Sequence, residues 1–157
     1  MLRTILTYPD PFLSTKAAPV AKVDDSVREL VRDLFETMYA ANGIGLAATQ
    51  VGVGKRVIVV DISPVEEESA PLALVNPQIV ERKGCVQGPE GCLSVPGVEG
   101  EVARAETILV RGLDEKGAPV TLPAGGLLAR ALQHEIDHLD GILFVDRMTA
   151  PAASAQQ

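Results

Sequence analysis

Apolar positions recur along this chain with two different periods. Between about residues 24 and 42, Val27, Leu30, Val31, Leu34, Phe35 and Met38 fall at i, i+3, i+4, i+7, i+8 and i+11, one face of an amphipathic helix. Asp24, Asp25 and Ser26 offer N-cap oxygens before it, and Gly43 after Asn42 is a natural stop. From residue 56 to 122 the grammar changes. Residues 56–62, 72–75, 78–82, 107–113 and 118–122 are short and rich in Val and Ile, which predicts strands. Asp114-Glu115-Lys116-Gly117 between the last two is a hairpin signal. A helical pattern returns over roughly 124–140, with Gly141 as its stop. Pro9-Asp10-Pro11 and Pro19 make an extended N-terminal arm, and Glu66-Glu67-Glu68-Ser69 reads as an exposed loop. Residues 43–50 suit neither helix nor strand. The tail, 149–157, is Ala, Pro, Ser and Gln and is expected to be flexible. Helix, strands, then helix predicts an α+β fold with one domain over residues 1–148.

Composition narrows the class. A chain of 157 residues suits one domain and can bury a core without disulfide staples, so its 2 cysteines are free for other work. The net charge of −7 argues against a nucleic-acid scaffold, and aromatics at 3% argue against base stacking. The longest apolar runs, such as Val57-Ile58-Val59-Val60, are too short to span a bilayer. The N-terminus has no long apolar stretch of the secretory kind, so a cytoplasmic protein is expected.

The strongest chemical signal is His134-Glu135-Ile136-Asp137-His138. On a helix the two histidines stand one turn apart on one face and can hold one metal ion. Glu135 sits about 100° round, able to reach a water there without being a ligand. On the helical wheel Glu135 lies inside the apolar arc, where a carboxylate without a partner is costly, so a solvated face does not explain it. A catalytic metal of this kind wants a third protein ligand. Downstream only Asp140 and Asp146 follow closely. Upstream, Glu90-Gly91-Cys92-Leu93-Ser94 offers a thiolate, and one thiolate with two imidazoles suits Zn²⁺ or Fe²⁺. A rival arrangement adds Cys85 and closes a structural Cys₂His₂ site, although that leaves Glu135 without a task. A third segment, Gly43-Ile44-Gly45-Leu46-Ala47-Ala48-Thr49-Gln50, lacks the marks of a phosphate loop. Its Gln50 amide could donate to a developing oxyanion, but on spacing alone the glycines and alanines there are better explained by close backbone packing.

Taken together, the G-x-G-L-A-A-x-Q loop, the E-G-C-L-S strand and the Q-H-E-x-D-H helix closely resemble the three motifs of the peptide deformylases, in order and in spacing. The resemblance extends from the N-terminal arm to Arg147. It implies mostly antiparallel sheets around a metal-binding helix, and hydrolysis of the formyl group from the N-terminal methionine of new polypeptides. It implies Cys92, His134 and His138 as ligands of one Fe²⁺, which Zn²⁺, Ni²⁺ or Co²⁺ can replace. Glu135 becomes the general acid/base for a water activated at the metal. Gln50 and the backbone N–H of Leu93 become the oxyanion hole. Ile44 and Gly45 would hold the substrate backbone as an added strand, with Gly91 and Ala131 also at the substrate. Glu90, ahead of Asp137, is the carboxylate expected to orient a histidine. Arg130 is expected to send its guanidinium to solvent while its stem packs. The partners implied are formyl-Met nascent peptides and transient ribosome contact, although the C-terminal docking helix of many members has no counterpart in the tail. A monomer is expected. The competing enzyme is a small zinc endopeptidase, which would cut internal peptide bonds.

Overall fold

The computed structural model describes residues 1–149 and the backbone of 153–154. Its elements in chain order are helix α1 (Asp25–Ala40), strands β1 (Gly45–Ala47), β2 (Val57–Val60), β3 (Leu72–Lys83), β4 (Val86–Cys92), β5 (Val95–Arg104), β6 (Thr107–Leu113) and β7 (Pro119–Gly125), helix α2 (Gly126–Leu139) and strand β8 (Ala153–Ser154). Five strands form one sheet in the order β1-β2-β3-β6-β7, and β4-β5-β8 form a second, every pairing antiparallel. The fold is α+β.

β2 explains the layering. All four of its residues are buried, because alternate side chains enter different cores. Val57 and Val59 join Val27, Leu30, Leu34 and Met38 of α1. Ile58 and Val60 join Ala131, Leu132, Ile136 and Leu139 of α2. The large sheet therefore lies between the two helices, and its β2 reads as a continuous apolar run for that reason.

Helix α1 begins as expected, with the Asp24 carboxylate accepting from Val27 N–H at 3.2 Å. Its end differs in detail. Asn42, not Gly43, takes the left-handed conformation (φ 58°), while Asn42 and Gly43 N–H donate to the carbonyls of Tyr39 and Met38. Gly43 is needed for space instead: a Cβ there would stand 2.7 Å from Leu93 Cδ1. Helix α2 starts at Gly126, since residues 124–125 remain paired with Ile108 and Thr107 of β6.

Three strand readings change. Gly45–Ala47, inside the segment that suited neither helix nor strand, pairs with β2 as β1. The segments 72–75 and 78–82 are one strand, β3, with irregular register at Asn76-Pro77, where proline is tolerated because the ladder is already broken. Strands β4 and β5 were not legible in the hydrophobic pattern, and only the resemblance, which takes residues 90–94 as a strand, pointed to the end of β4. Gly88, Pro89, Gly91, Pro96, Gly97 and Gly100 interrupt any Val/Ile pattern there, yet the two segments pair from Val86↔Arg104 to Gly91↔Glu99. In the tail, Thr149 N–H donates to Glu101 O at 2.8 Å, and residues 153–154 pair with β5. The expectation of flexibility for 150–152 and 155–157 lies outside the described residues. No helix among the described residues is long and apolar enough to cross a membrane.

Candidate metal centre and its cleft

Three elements bring the chemistry together. Helix α2 carries His134, Glu135 and His138 on its buried side. Cys92 ends β4 at a register break, in the hairpin leading to β5. Gln50 lies on a short 3₁₀ turn, Ala48–Val51, that follows β1.

Cys92, His134 and His138 each offer one ligand atom, and the three atoms lie within 4.8 Å of one another. The Nε2 atoms of the two histidines face each other at 3.2 Å, and Cys92 Sγ is 3.3 Å from His138 Nε2. Hydrogen bonding alone is a poor reason to aim two imidazole nitrogens and a sulfur at one point; a shared soft or borderline cation is a good one. The donor set fits a metal. Cys85 is exposed and stands outside this group, so the structure does not assemble the Cys₂His₂ alternative.

Protonation follows from the surroundings. Burial alone would raise Glu90, but hydrogen bonds from Arg104 and His134 outweigh it and hold its carboxyl at about 2. Glu90 is thus ionised and accepts from His134 Nδ1 at 3.0 Å, which fixes the tautomer and leaves Nε2 for the metal. Burial also acts to lower His134, yet the neighbouring Cys92 and Glu90 push it up to about 10 in the metal-free protein. The same electronegative surroundings favour a cation at Nε2. Burial, then the charge on His134, keep His138 well below the ordinary histidine value and so neutral. Burial pushes Glu135 up to about 7. Its Oε1 is buried without a hydrogen-bond partner. Its other oxygen lies so close to Gly45 that a Cβ there would stand 2.5 Å away. A buried carboxylate poised near neutrality beside a ligand cluster is suited to accepting and returning a proton.

These groups open onto a cleft of about 430 Å³. Ile44, Gly45, Gln50, Glu90, Gly91, Leu93, Ala131 and Glu135 all line it, together with Cys92 and His134. His138 is the deeper ligand and does not. Gln50 is almost fully buried; its Oε1 accepts from Ala47 N–H at 2.9 Å, so its Nε2 is turned toward Ser94 Oγ, 3.1 Å away, and Cys92 Sγ, 3.6 Å away.

Arg130 corrects the expectation of a solvent-seeking guanidinium. Its Nη1 donates to Glu90 Oε2 at 2.7 Å and to Val102 O at 3.0 Å, and its Nη2 to Val86 O at 2.8 Å. An ionised carboxylate inside reach outweighs hydration of the charge. Two further arginines were missed by sequence reasoning. Arg104, buried, bridges Glu90 and Asp137, and Arg147 donates to Asp137 at 2.6 and 3.0 Å. The available signal was that Arg104 shares a strand face with Val102, and that two carboxylates placed near the site need counter-charge.

Comparison with known proteins agrees with this geometry. The sequence model of the family described as "Polypeptide deformylase" matches residues 2–154. A peptide deformylase from Alkalilimnicola ehrlichii is 57% identical over 147 residues, covering 92% of this chain and 81% of that protein. One from Neisseria gonorrhoeae is 54% identical over 148 residues, covering 94% and 87%. Among solved structures, a peptide deformylase from Legionella pneumophila superposes with a TM-score of 0.89 at 48% identity, covering 96% of this chain and 88% of that one. Another from Synechococcus elongatus, in complex with actinonin, gives 0.89 at 47% identity, covering 93% and 80%.

Proposed function

The chain belongs to the peptide deformylase family, and from that premise we propose that it removes the formyl group from the N-terminal methionine of nascent polypeptides, releasing formate, with one Fe²⁺ held by Cys92, His134 and His138. The observation that carries this reading is the buried Glu135 carboxylate, next to a three-ligand cluster on the wall of the cleft. Zn²⁺, Ni²⁺ or Co²⁺ would satisfy the same donors. When bound, the metal supplies acidification of a water and polarisation of the formyl oxygen.

The remaining steps belong to the chain's own residues. Glu135 takes a proton from the attacking water and returns it to the leaving amine. The Gln50 Nε2, held by its Ala47 hydrogen bond, and the backbone N–H of Leu93 receive the charge that grows on the formyl oxygen. Strand β1 lies at the edge of the large sheet and pairs with β2. Its free side, at Ile44 and Gly45, accepts the substrate backbone as a further strand, with Gly91 across the cleft. Ala131, at the cleft wall on α2, contacts the methionine side chain. Glu90 orients His134. The reaction takes place in the bacterial cytoplasm on a monomer, with transient contact at the ribosome.

The test is formate release from a formyl-Met peptide by protein loaded anaerobically with iron. Release of formate with internal peptide bonds left intact is the expected result. Cleavage within the peptide would make the protein an endopeptidase. The Glu135→Gln variant should keep its metal and lose nearly all turnover; near-normal turnover would remove Glu135 from the mechanism.

A further inference from the structure

A second cavity, of about 310 Å³, lies against the cleft. Pro89, Leu127 and Arg130 line both spaces, so these three residues form the partition between them. Beyond the partition the second cavity is walled by Val86, Ala105, Glu106 and Gly126. We propose that Arg130 is a specificity-determining residue: its side chain closes the cleft toward this second cavity and thereby sets the length of N-terminal side chain that the enzyme accepts. This rests on the deformylase reading, and concerns which formylated residue fits.

Three observations make the partition a rigid one. Arg130 projects from α2, and its guanidinium is pinned by hydrogen bonds to Glu90 Oε2, Val102 O and Val86 O, on strands β4 and β5. A long side chain held at its tip on a different element cannot swing aside without breaking all three. Gly88 supplies the seat. A Cβ there would stand 3.3 Å from Nη2 and 3.4 Å from Cζ, so the planar group lies on bare strand backbone. Finally, the Arg130 side chain is only 14% exposed. Its bulk fills space that would otherwise join the two cavities. A side chain that lines both spaces and is held at its tip makes a wall that a substrate side chain meets but cannot displace.

The expectation concerns unbranched side chains longer than that of methionine. The wild-type protein should lose roughly tenfold or more in kcat/KM when a butyl side chain on the formylated residue is lengthened to hexyl, the scale of extra methylenes that do not fit. Arg130→Ala removes the wall and should abolish or invert that loss, chiefly through KM. Arg130→Met restores the bulk without the three hydrogen bonds and should give a profile between those of the wild type and Arg130→Ala. Leu127→Ala opens the same partition without touching Glu90, and should shift the profile in the same direction if the arginine variant does not fold. Calorimetric binding of the same peptides in a Glu135→Gln background reads the depth of the cleft without turnover. A failure of the deformylase reading is thereby told apart from a failure of this one. Unchanged chain-length profiles in both alanine variants would overturn the proposal.

Discussion

Glu135 and Gly45 are a matched pair, since the carboxylate occupies the space a side chain at 45 would need. A Cβ on Gly45 would come 3.0 Å from Glu135 Cγ and Cδ as well as 2.5 Å from Oε2, so the whole head of the side chain must move. Gly45→Ala should therefore keep the metal and the melting temperature but lower kcat by about 10²-fold, the usual effect of displacing a reacting group by an ångström. Formate release measured beside metal content checks this. Gln50→Ala removes a donor without removing a ligand, and should reduce kcat by roughly 10²–10³. If KM alone rises, Gln50 positions substrate and the oxyanion role falls. The two cysteines should part company. Cys92→Ser replaces a thiolate at the convergence point and should lose metal and activity together, whereas Cys85→Ser changes an exposed group outside the cluster and should alter neither. Equal metal loss in both variants would bring back the four-ligand site.

At the level of the element, α2 has to end at a definite residue so that His138 stays on its last turn. Gly141 takes φ 75°, Gly141 N–H donates to His138 O at 3.1 Å, and Ile142 N–H donates to Asp137 O at 2.9 Å, a Schellman closure. Arg56 adds a cation at the same end, donating to Leu139 O at 3.1 Å and to Asp140 at 2.9 Å. A Cβ on Gly141 would also meet the backbone oxygen of Ser14 at 2.5 Å, where neither group can yield. Gly141→Ala should cost more than the ~1–2 kcal/mol of left-handed strain alone. The end of α1 is the control. Asn42→Gly, at φ 58°, keeps the left-handed turn accessible and should stay within about 0.5 kcal/mol of the parent in chemical denaturation.

Across the molecule, one network of charge joins the small sheet to α2. Arg147 and Arg104 flank Asp137, while Arg104 and Arg130 flank Glu90, which in turn holds His134. Glu90 lies at about 2 in the folded protein against an ordinary 4.5, so its contribution to stability is fully present above pH 4.5. That contribution, of the order of 3 kcal/mol for a carboxylate this well buried, is lost as pH falls toward 2. The stability difference between the metal-free parent and Glu90→Gln should accordingly shrink between pH 6 and pH 3. A difference independent of pH would mean that Glu90 acts through packing and not through its charge. Arg104→Met would leave Glu90 with Arg130 and Asp137 with Arg147 as their remaining arginines, and should cost about 3 kcal/mol, the lower end for breaking a buried pair.

The division between what local pattern dictates and what the assembled fold adds follows the range of the interactions. Helical period and cap chemistry act within a few residues, so α1 and α2, their stops near Asn42 and at Gly141, and the shared face of His134 and His138 were all legible in the chain. Cys92 was legible as a candidate soft ligand upstream of the helix, whereas Gln50 stood out only through the family resemblance, since spacing alone favoured close packing there. Strands β4 and β5 were not legible in the hydrophobic pattern, since their glycines report close approach by distant groups, Arg130 over Gly88 and Met148 over Gly100, and not a local preference. The direction of Arg130 was misjudged for the same reason: a helical wheel shows which arc a side chain leaves from, but not that Glu90 waits beyond it. Which carboxylate is ionised, which nitrogens converge with Cys92 and how deep the cleft runs depend on burial and on charges brought together from strands, helix and loop. Those quantities exist only once the chain has closed on itself, because desolvation and pairing are properties of the neighbours and not of the residue.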